Sequence, residues 1–406
     1  MKNNNNFKIS DYIPSILYKN STIKKDKSIV ANHLDKTLQN LKKNKDVFHS
    51  LSDSFYLELD KEKLKKFKKY KTVVVIGMGG SILGSEAIYQ TFKNKIKKKF
   101  LFLNNLNTNE IKDLLKLKKK GELFFIIISK SGNTVETLVN ISLLAKLKIN
   151  SFNAIIITEK SDNALNNFAI EKNIYTIEHK KYIGGRYSVL SEVGMIPAYF
   201  MELKIKNFRA SLLRFFKPNG KKYLTNTVSK ISQIYLSKKI HSIIFLNYCP
   251  KLENFLNWSQ QLLAESLGKN KNGLLPLISS APKDHHSLLQ LYLDGPKDKI
   301  FYIFTDKSSS NYKIKKNLFG KKFQFMKNKK IETIVKAQSD SMKAVLKKKK
   351  IPFKQFEFNG FSEETLGSLF SYFILETTMI AKLLKINPFN QPAVEQIKTL
   401  TKKILS

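Results

Sequence analysis

Residues 73–84 have the sequence Val-Val-Val-Ile-Gly-Met-Gly-Gly-Ser-Ile-Leu-Gly. The β-branched run predicts a short buried strand, and the glycines after it predict a tight turn into a helix near 82–97. In a parallel α/β sheet, the backbone N–H groups of such a turn can approach an anion at the N-terminus of the helix. The stretch therefore predicts an α/β fold with a ligand-binding turn, and a tight turn without a ligand is the alternative.

Two common nucleotide-binding loops do not fit this turn. Ile82 occupies the third glycine position of a dinucleotide fingerprint, and Asn104 and Asn105 stand where an acidic residue should end the next strand. Gly84 is followed by Ser85, where a Walker A loop has lysine. We therefore expect no nucleotide cofactor at this position.

The rest of the chain alternates between short β-rich runs and helix-length segments. In the first half, strands are predicted at 73–76, 100–104, 123–129, 154–158 and 174–177, and helices near 82–97, 108–118, 133–149 and 161–172. After a helical bridge near 194–239, strands are predicted at 242–247, 299–304 and 353–358, and helices at 252–267, 330–349, 362–385 and about 392–405. This alternation is typical of parallel sheets covered on both faces, so we expect two doubly wound domains with a cleft between them.

The predicted domain bounds follow from this pattern. Residues 1–45 are polar and charged, with too few apolar positions for a core, and are predicted to form a helical arm. Residues 46–220 are assigned to the first domain, 221–385 to the second and 386–406 to a C-terminal helix. A chain of 406 residues suits two domains with extensions.

The composition limits the compartment. The chain is 42% hydrophobic and 11% aromatic, which supports sizeable cores, and its single cysteine, Cys249, fits a reducing compartment. Residues 1–6 lack the apolar core of a secretory signal, and no apolar run approaches the roughly 20 residues that span a bilayer. We expect a soluble cytoplasmic protein with no membrane partner.

The formal net charge of +40 would by itself indicate a nucleic-acid partner. The basic residues are mostly lysines scattered along predicted helices, in runs such as 97–99 and 347–350, and no zinc-finger or RNA-binding motif accompanies them. We therefore expect solvated lysine faces and no specific nucleic acid, with nonspecific polyanion binding at low salt.

A segment rich in hydroxyl groups follows the most apolar predicted strand: Ser129-Lys130-Ser131-Gly132-Asn133-Thr134-Val135-Glu136-Thr137. Its serines and threonines, together with helix N–H groups, favour a phosphate-binding loop at this edge of the sheet. A helix capped by Asn133, with Glu136 as the third-position partner, would explain the same spacing and is the alternative.

Two further segments offer charged or amide side chains. The first is Gly184-Gly185-Arg186-Tyr187-Ser188, in which a tight turn at the glycines could direct the positive charge of Arg186 toward a ligand. For an isolated arginine, a position on the surface is the simpler interpretation. On the next predicted helix, Trp258, Gln261 and Glu265 lie roughly opposite the leucine stripe. That face either lines the cleft or is solvated, with Glu265 and Lys269 as an i,i+4 pair.

The last candidates lie in a histidine loop and near the C-terminus. Adjacent histidines in Lys283-Asp284-His285-His286-Ser287 suit a metal pair poorly, so a single acid–base histidine and a solvated loop are the alternatives. Pro392 suits the first turn of a helix. Lys398 lies at the edge of that helix's apolar stripe, where we expect less solvation than for most lysines, although snorkelling would account for its placement.

The order of these motifs resembles that of the glucose-6-phosphate isomerase family, from about residue 70 to the C-terminus. The series is Gly-Gly-Ser-x-x-Gly, Ser-Lys-Ser-Gly-x-Thr-x-Glu-Thr, Gly-Gly-Arg-Tyr-Ser, Ala-Glu-Ser-x-Gly-Lys, a His-Ser loop and Asn-Gln-x-Ala-Val-Glu-x-x-Lys. The resemblance implies two sugar-isomerase (SIS) domains in a homodimer. It also implies glycolytic and gluconeogenic interconversion of glucose 6-phosphate and fructose 6-phosphate, with no cofactor and no metal.

The resemblance further implies roles for single residues. Glu265 matches the general base, and His286 and Lys398 match the groups assigned to ring opening, with the histidine loop supplied by the partner subunit. Arg186 falls at a substrate contact, where its charge would stabilise a cis-enediolate. The other substrate and phosphate contacts would be Gly80, Ser81, Ser129, Lys130, Ser131, Thr134, Thr137, Gln261 and Gln391.

Two positions depart from the family pattern. Lys181 and Glu192 flank the arginine motif where the family usually has other residue types, which bears on the geometry of that loop. A non-catalytic SIS-type sugar-phosphate sensor is the alternative function. Such a sensor would keep the Ser/Thr loop but would not need Glu265, His286 and Lys398 together.

Overall fold

The computed structural model describes residues 7–43, 45–117, 123–308, 310 and 312–406. The strands are β1 (Phe7–Tyr12), β2 (Thr72–Ile76), β3 (Lys99–Leu103), β4 (Leu123–Ile128), β5 (Ala154–Thr158), β6 (Tyr175–Glu178), β7 (Ser242–Asn247), β8 (Leu275–Ser280), β9 (Lys299–Asp306) and β10 (Phe353–Phe358). The helices are α1 (Asn20–Asn40), α2 (Lys61–Lys65), α3 (Leu83–Phe92), α4 (Thr108–Lys116), α5 (Val135–Leu143), α6 (Ala164–Glu171), α7 (Glu192–Phe200), α8 (Ile205–Arg209), α9 (Pro218–Ser237), α10 (Glu253–Leu267), α11 (Leu289–Asp294), α12 (Ile331–Lys348), α13 (Glu363–Leu383) and α14 (Ala393–Leu405). Residues 1–6 and 44 of the predicted arm, and the predicted helix end at 118, lie outside the described residues.

The first sheet has the strand order β3-β2-β4-β5-β6, and all of its pairings are parallel. Every residue of β4 and β5 is buried, because helices cover both faces of the sheet. The chain runs from β2 to β3 on one side and then crosses to β4 on the other. The glycine turn after β2 and the Ser/Thr loop after β4 therefore meet at a topological switch point, where ligands bind in open α/β sheets.

The second sheet has the order β1-β10-β9-β7-β8, in which four strands are parallel and β1 pairs antiparallel with β10. The two sheets confirm the predicted doubly wound architecture. The predicted ranges 46–220 and 221–385 contain every strand of the described residues except β1. As domain bounds they stay a prediction.

The N-terminal arm differs from its prediction in two ways. Phe7 pairs with Phe358 across the second sheet and stacks on it at a centroid distance of 5.6 Å, so the arm begins with a strand. In the helix α1 that follows, Val30 and Leu34 are fully buried and the helix packs against α9 and α13. The arm is largely helical, as predicted, but the expectation that it contributes nothing to a core was wrong, because its few apolar side chains pack on distant elements.

The helix α10 joins the two halves. It belongs to the second sheet's half of the chain but packs against α3 of the first and against the almost entirely buried α13. This places the polar side chains of α10 beside the carboxyl edge of the first sheet. Within the described part of the chain, no helix is long and apolar enough to cross a membrane.

Candidate active site

Arg186 lies at the centre of the site, in the 3-10 helix Gly185–Leu190. Its side chain is only 2% exposed, so a surface arginine is the wrong interpretation. It donates to five oxygen atoms from two other segments of the chain, the end of α10 and residues 388–391. These are Ser266 Oγ (2.9 Å), Glu265 Oε2 (2.9 Å), Gln391 Oε1 (2.9 Å) and the carbonyls of Pro388 (2.5 Å) and Asn390 (3.1 Å).

The glycine turn packs directly on the arginine motif. A Cβ atom at Gly80 would lie 2.2 Å from the carbonyl carbon of Gly185 and 2.4 Å from the backbone nitrogen of Arg186. Gly79 has a φ of +52°, and a Cβ there would lie 2.7 Å from Gln261 Nε2. Both close approaches need glycine, so packing alone is enough to explain why Gly79 and Gly80 stand in this turn. The predicted substrate contacts of Gly80 and of the buried Ser81 stay predictions.

Glu265 is held from both sides. Gln261, one turn earlier on α10, donates from Nε2 to Glu265 Oε1 at 2.8 Å, while Arg186 binds the other carboxylate oxygen. The Glu265 side chain is 32% exposed, so the carboxylate is fixed in direction and still open on one side. The face carrying Gln261 and Glu265 thus faces the buried arginine, which favours the cleft interpretation over a solvated face.

Trp258 does not belong to that open face. It is 1% exposed, packs edge-on against Phe370 at 4.8 Å and donates from Nε1 to the carbonyl oxygen of Arg186 at 3.1 Å. Its assignment to a polar face was wrong because α10 is buried on more than one side. Trp258 instead supports the backbone that aims Arg186.

Lys269 also belongs to this site, although the sequence analysis predicted no role for it there. Its Nζ donates to the carbonyl oxygen of Asn387 at 2.5 Å. Burial, and next the charge of Arg186, lower the pKa of Lys269 to about 8, against the opposing effect of Glu265. The i,i+4,i+8 spacing of Gln261, Glu265 and Lys269 was the available signal, and it was interpreted only as a surface pair.

The hydroxyl groups of the Ser/Thr loop surround the first turn of α5. Ser129 Oγ and Thr134 Oγ1 share a hydrogen bond of 3.0 Å, and Ser131 is exposed. Thr137 is fully buried, and its Oγ1 has no hydrogen-bond partner among the described residues. A buried polar atom without a partner costs stability, and a bound ligand is one way in which such an atom is satisfied.

The capping interpretation of this loop was wrong. The Oδ1 atom of Asn133 accepts a hydrogen bond from the backbone N–H of Ala164 at 3.0 Å, and α5 begins after Thr134. Asn133 therefore ties the loop to the next helix, α6. Gly132 has a φ of +67°, and a Cβ there would overlap the side chain of Asn163. The shape of the loop thus depends on contacts with α6. The hydroxyl group of the N-cap residue Thr134 makes no capping hydrogen bond to α5.

Lys130 and the two departures from the family pattern lie beside this loop. Lys130 Nζ donates to the carbonyl oxygen of Lys181 at 2.8 Å and lies 3.6 Å from a carboxylate oxygen of Glu159. Lys181 therefore contacts Lys130 through its backbone carbonyl group, and this contact does not depend on the side chain at position 181. Glu192 is buried at the start of α7, where it accepts the backbone N–H of Glu58 at 3.1 Å and where burial raises its pKa. Both departures are accommodated without touching Arg186.

His286 and Lys398 lie outside this cluster. His286 is exposed at the end of the 3-10 helix Lys283–His286, and its neighbour His285 hydrogen-bonds Tyr248 at 2.7 Å. Lys398 is 64% exposed and pairs with Glu395 at 2.7 Å. The expectation of a weakly solvated Lys398 was wrong, because none of the described residues of α14 is buried.

The chemistry available at the cluster is proton transfer next to a fixed cation. A carboxylate with an open side can take a proton from carbon, and a buried guanidinium can stabilise the negative charge that develops on oxygen. In the part of the chain that the structure describes, no three His, Cys, Asp or Glu side chains form a group that could hold a metal ion.

Comparison with known proteins gives a consistent result along the chain. The family model of phosphoglucose isomerase matches residues 19–406. A glucose-6-phosphate isomerase of Methanocaldococcus jannaschii is 33% identical over 85% of this chain and 86% of the relative. That of Campylobacter jejuni is 30% identical over 88% of this chain and 91% of the relative.

Solved structures share the fold. A hypothetical protein from Thermus thermophilus superposes with a TM-score of 0.83 at 22% identity, covering 98% of this chain and 100% of that one. A glucose-6-phosphate isomerase from Chlamydia trachomatis has a TM-score of 0.78 at 16% identity, covering 98% of this chain and 88% of that one. Because the family model spans nearly the whole chain and relatives reach 30% identity or more over most of it, the chain belongs to the phosphoglucose isomerase family.

Proposed function

We propose that this chain is a glucose-6-phosphate isomerase that interconverts glucose 6-phosphate and fructose 6-phosphate in glycolysis and gluconeogenesis. The observation that carries the proposal is the 2.9 Å contact between Arg186 and Glu265. It brings a buried cation and a half-open carboxylate together from the two predicted domains, in a chain of the phosphoglucose isomerase family.

The proposed reaction moves a carbonyl group between C1 and C2 of the open-chain sugar. Glu265 removes a proton from one carbon and returns it to its neighbour, from one side of the plane of a cis-enediol intermediate. Its hydrogen bonds from Gln261 and Arg186 hold the carboxylate in one direction, which favours a single base for both transfers. Arg186 stabilises the enediolate charge as it develops.

Arg186 reaches the substrate by exchanging partners. Its five hydrogen bonds leave no donor free, but the acceptor Gln391 is a side chain on a segment without regular structure. A sugar oxygen can replace Gln391 Oε1 at Nη1, which frees the amide of Gln391 to bind another hydroxyl group. The bonds to Ser266 and to the Pro388 and Asn390 carbonyls then keep the guanidinium in place.

The phosphate is bound at the switch point of the first sheet. Ser129, Ser131, Thr134 and Thr137 supply hydroxyl groups and Lys130 a positive charge, next to the backbone of Gly80 and Ser81. The unpartnered, buried Oγ1 of Thr137 supports this assignment. Binding of the remote phosphate positions C1 and C2 against Glu265, so binding energy is used for orientation.

Ring opening is assigned to His286 and Lys398, and it requires a second subunit. His286 is exposed and lies just beyond β8, the edge strand of the second sheet, where another chain can approach it. We propose a homodimer in which the partner's His286 protonates the ring oxygen while Lys398 serves the O1 proton. Lys398 must leave its pair with Glu395 to do so, and its exposure permits this movement.

The proposed reaction needs neither a cofactor nor a metal. Aldose–ketose isomerisation is redox-neutral within one substrate, so a base, a cation and proton donors are sufficient chemically. We place the enzyme in the cytoplasm, where its substrates arise, and propose 46–220 and 221–385 as its two SIS domains. Residues 386–406 complete the site.

A coupled assay tests this function. Purified protein is given fructose 6-phosphate in the presence of EDTA, and the appearance of glucose 6-phosphate is followed with a dehydrogenase. We expect rapid turnover. Absence of turnover together with binding of fructose 6-phosphate would support the non-catalytic sugar-phosphate sensor instead.

A further inference from the structure

Lys269 hydrogen-bonds the segment that carries Gln391. Its Nζ donates to the carbonyl oxygen of Asn387, one residue before the Pro388 carbonyl that accepts from both Arg186 and Tyr187. Three side chains therefore hold consecutive carbonyl groups of the same segment. Arg186 and Tyr187 are buried, whereas Lys269 is half-buried at the end of α10.

The contact between Lys269 and Asn387 matters because the C-terminal helix α14 is not held in place by burial of its own side chains. The helix α14, which carries Lys398, follows Gln391 directly and has no buried residue among those described. Among the described residues, α14 is therefore attached to the site through the segment 387–391 that precedes it. A side chain that moves this segment moves both Gln391 and Lys398.

We propose that Lys269 is a positioning residue that docks the segment 387–391, and with it the start of α14, against the active site. The inference rests on the proposed isomerase function for its catalytic consequence. Lys269 does not touch the reacting carbons, and it acts through Gln391 and Lys398. The docking contact is the hydrogen bond from Lys269 Nζ to the carbonyl oxygen of Asn387.

The charges around Lys269 bear on its protonation. Burial is the largest cause of its lowered pKa, the charge of Arg186 adds to the effect and Glu265 opposes it, and together they place the pKa at about 8. Because this pKa lies below that of an exposed lysine, the docked arrangement favours the neutral amine, and docking should persist as the pH rises through 8. A neutral amine can still donate to the carbonyl oxygen of Asn387, so we expect no fall in kcat from the deprotonation of Lys269.

The test compares Lys269→Met, Lys269→Arg and the control Lys271→Met, an exposed lysine two residues further on. Hydrogen exchange of residues 387–405 is measured beside kcat, KM and the pH profile. Lys269→Met should lower kcat about tenfold with KM changed less than about threefold, and should speed exchange in 387–405. Lys269→Arg should retain activity within about threefold, and the control should match the wild type.

Two results would overturn the proposal. Wild-type exchange in 387–405 for Lys269→Met would show that the lysine does not hold the segment, whatever the activity. Normal kcat with faster exchange would show that docking has no catalytic consequence. If the wild-type chain has no isomerase activity, the proposed function fails, and the exchange measurement still decides whether Lys269 holds the segment.

Discussion

Two ion pairs of the described residues have an almost fully buried cation, and they differ in the exposure of the carboxylate. Lys354 of β10 and Glu376 of α13 form an ion pair in which both side chains are 0% exposed. In the pair of Arg186 and Glu265, the cation is nearly as enclosed but the carboxylate is 32% exposed. The closed pair has no route to a substrate, whereas the half-open pair leaves the carboxylate that we propose as the base open to the cleft.

The closed pair is part of a core network. Lys354 also donates to the hydroxyl group of Tyr372 at 2.7 Å and lies 4.8 Å from the ring centroid of Tyr302. Burial lowers the pKa of Lys354, against the opposing effect of Glu376. Buried pairs of this kind contribute little net stability but are costly to break. The comparison shows that only the second of these two pairs has a carboxylate that a substrate could reach, which is what the proposed base requires.

The largest expected effect is on catalysis, from the half-open pair. Glu265→Gln keeps the shape of the side chain and removes the base, so kcat should fall about 10³-fold, or about 4 kcal/mol of barrier. The fold should persist because Gln261 can turn its unpaired Oε1 toward the new amide. Steady-state kinetics and the thermal midpoint measure both, with Glu253→Gln, an exposed position on the same helix, as the control.

Breaking the closed pair should affect stability and leave catalysis intact. Lys354→Met leaves Glu376 buried without its cation and should lower the free energy of unfolding by about 3 kcal/mol. Urea unfolding measures the loss, and kcat of the folded protein should stay within about twofold of the wild type. The double variant Lys354→Met, Glu376→Leu should regain most of the stability, and failure to do so would contradict a structural role confined to this pair.

Arg186→Lys sharpens the comparison within the active site. Lysine keeps the charge but cannot bind five acceptors in the plane of a guanidinium, so Glu265 and Gln391 lose their shared donor. We expect kcat to fall about 100-fold, equivalent to about 2.7 kcal/mol. A near-normal kcat would show that charge alone, without the fork of hydrogen bonds, is sufficient.

The smallest expected effect comes from a buried polar group without a partner. Thr137→Val removes an unpaired hydroxyl group at nearly constant shape. We expect KM for fructose 6-phosphate to rise about tenfold, or about 1.4 kcal/mol, with little change in kcat, because phosphate binding is lost equally in ground and transition states. The thermal midpoint should stay or rise slightly, since no protein hydrogen bond is removed.

The sequence predicted the central strands of the two sheets better than the edge strands of the second sheet. Strands such as β4 and β5 are continuous apolar runs that are buried on both faces, so pattern alone identified them. The edge strand β8 was not predicted, because it contains Pro276 and ends in two serines. The edge strand β1 lies in a polar stretch and is stabilised by pairing with β10 at the other end of the chain.

The site divides in the same way. Local patterns identified Arg186 and the Ser/Thr loop as candidates without deciding between ligand binding and plain turns. Only the resemblance brought Glu265 and Gln391 together with Arg186, because these contacts join residues 79 and 205 positions apart. A helical wheel also misplaced Trp258, since it cannot show how many neighbours surround α10.

Solvent hydrogen exchange into the product tests the role of Glu265 most directly. Fructose 6-phosphate is converted in D₂O, and proton NMR measures deuterium at C2 of the glucose 6-phosphate formed. A carboxylate that carries the proton through an enediol and exchanges it with solvent predicts deuterium at C2, with a rate of incorporation about 10³-fold lower in Glu265→Gln. Incorporation at the wild-type rate in Glu265→Gln would contradict the assignment of Glu265 as the base.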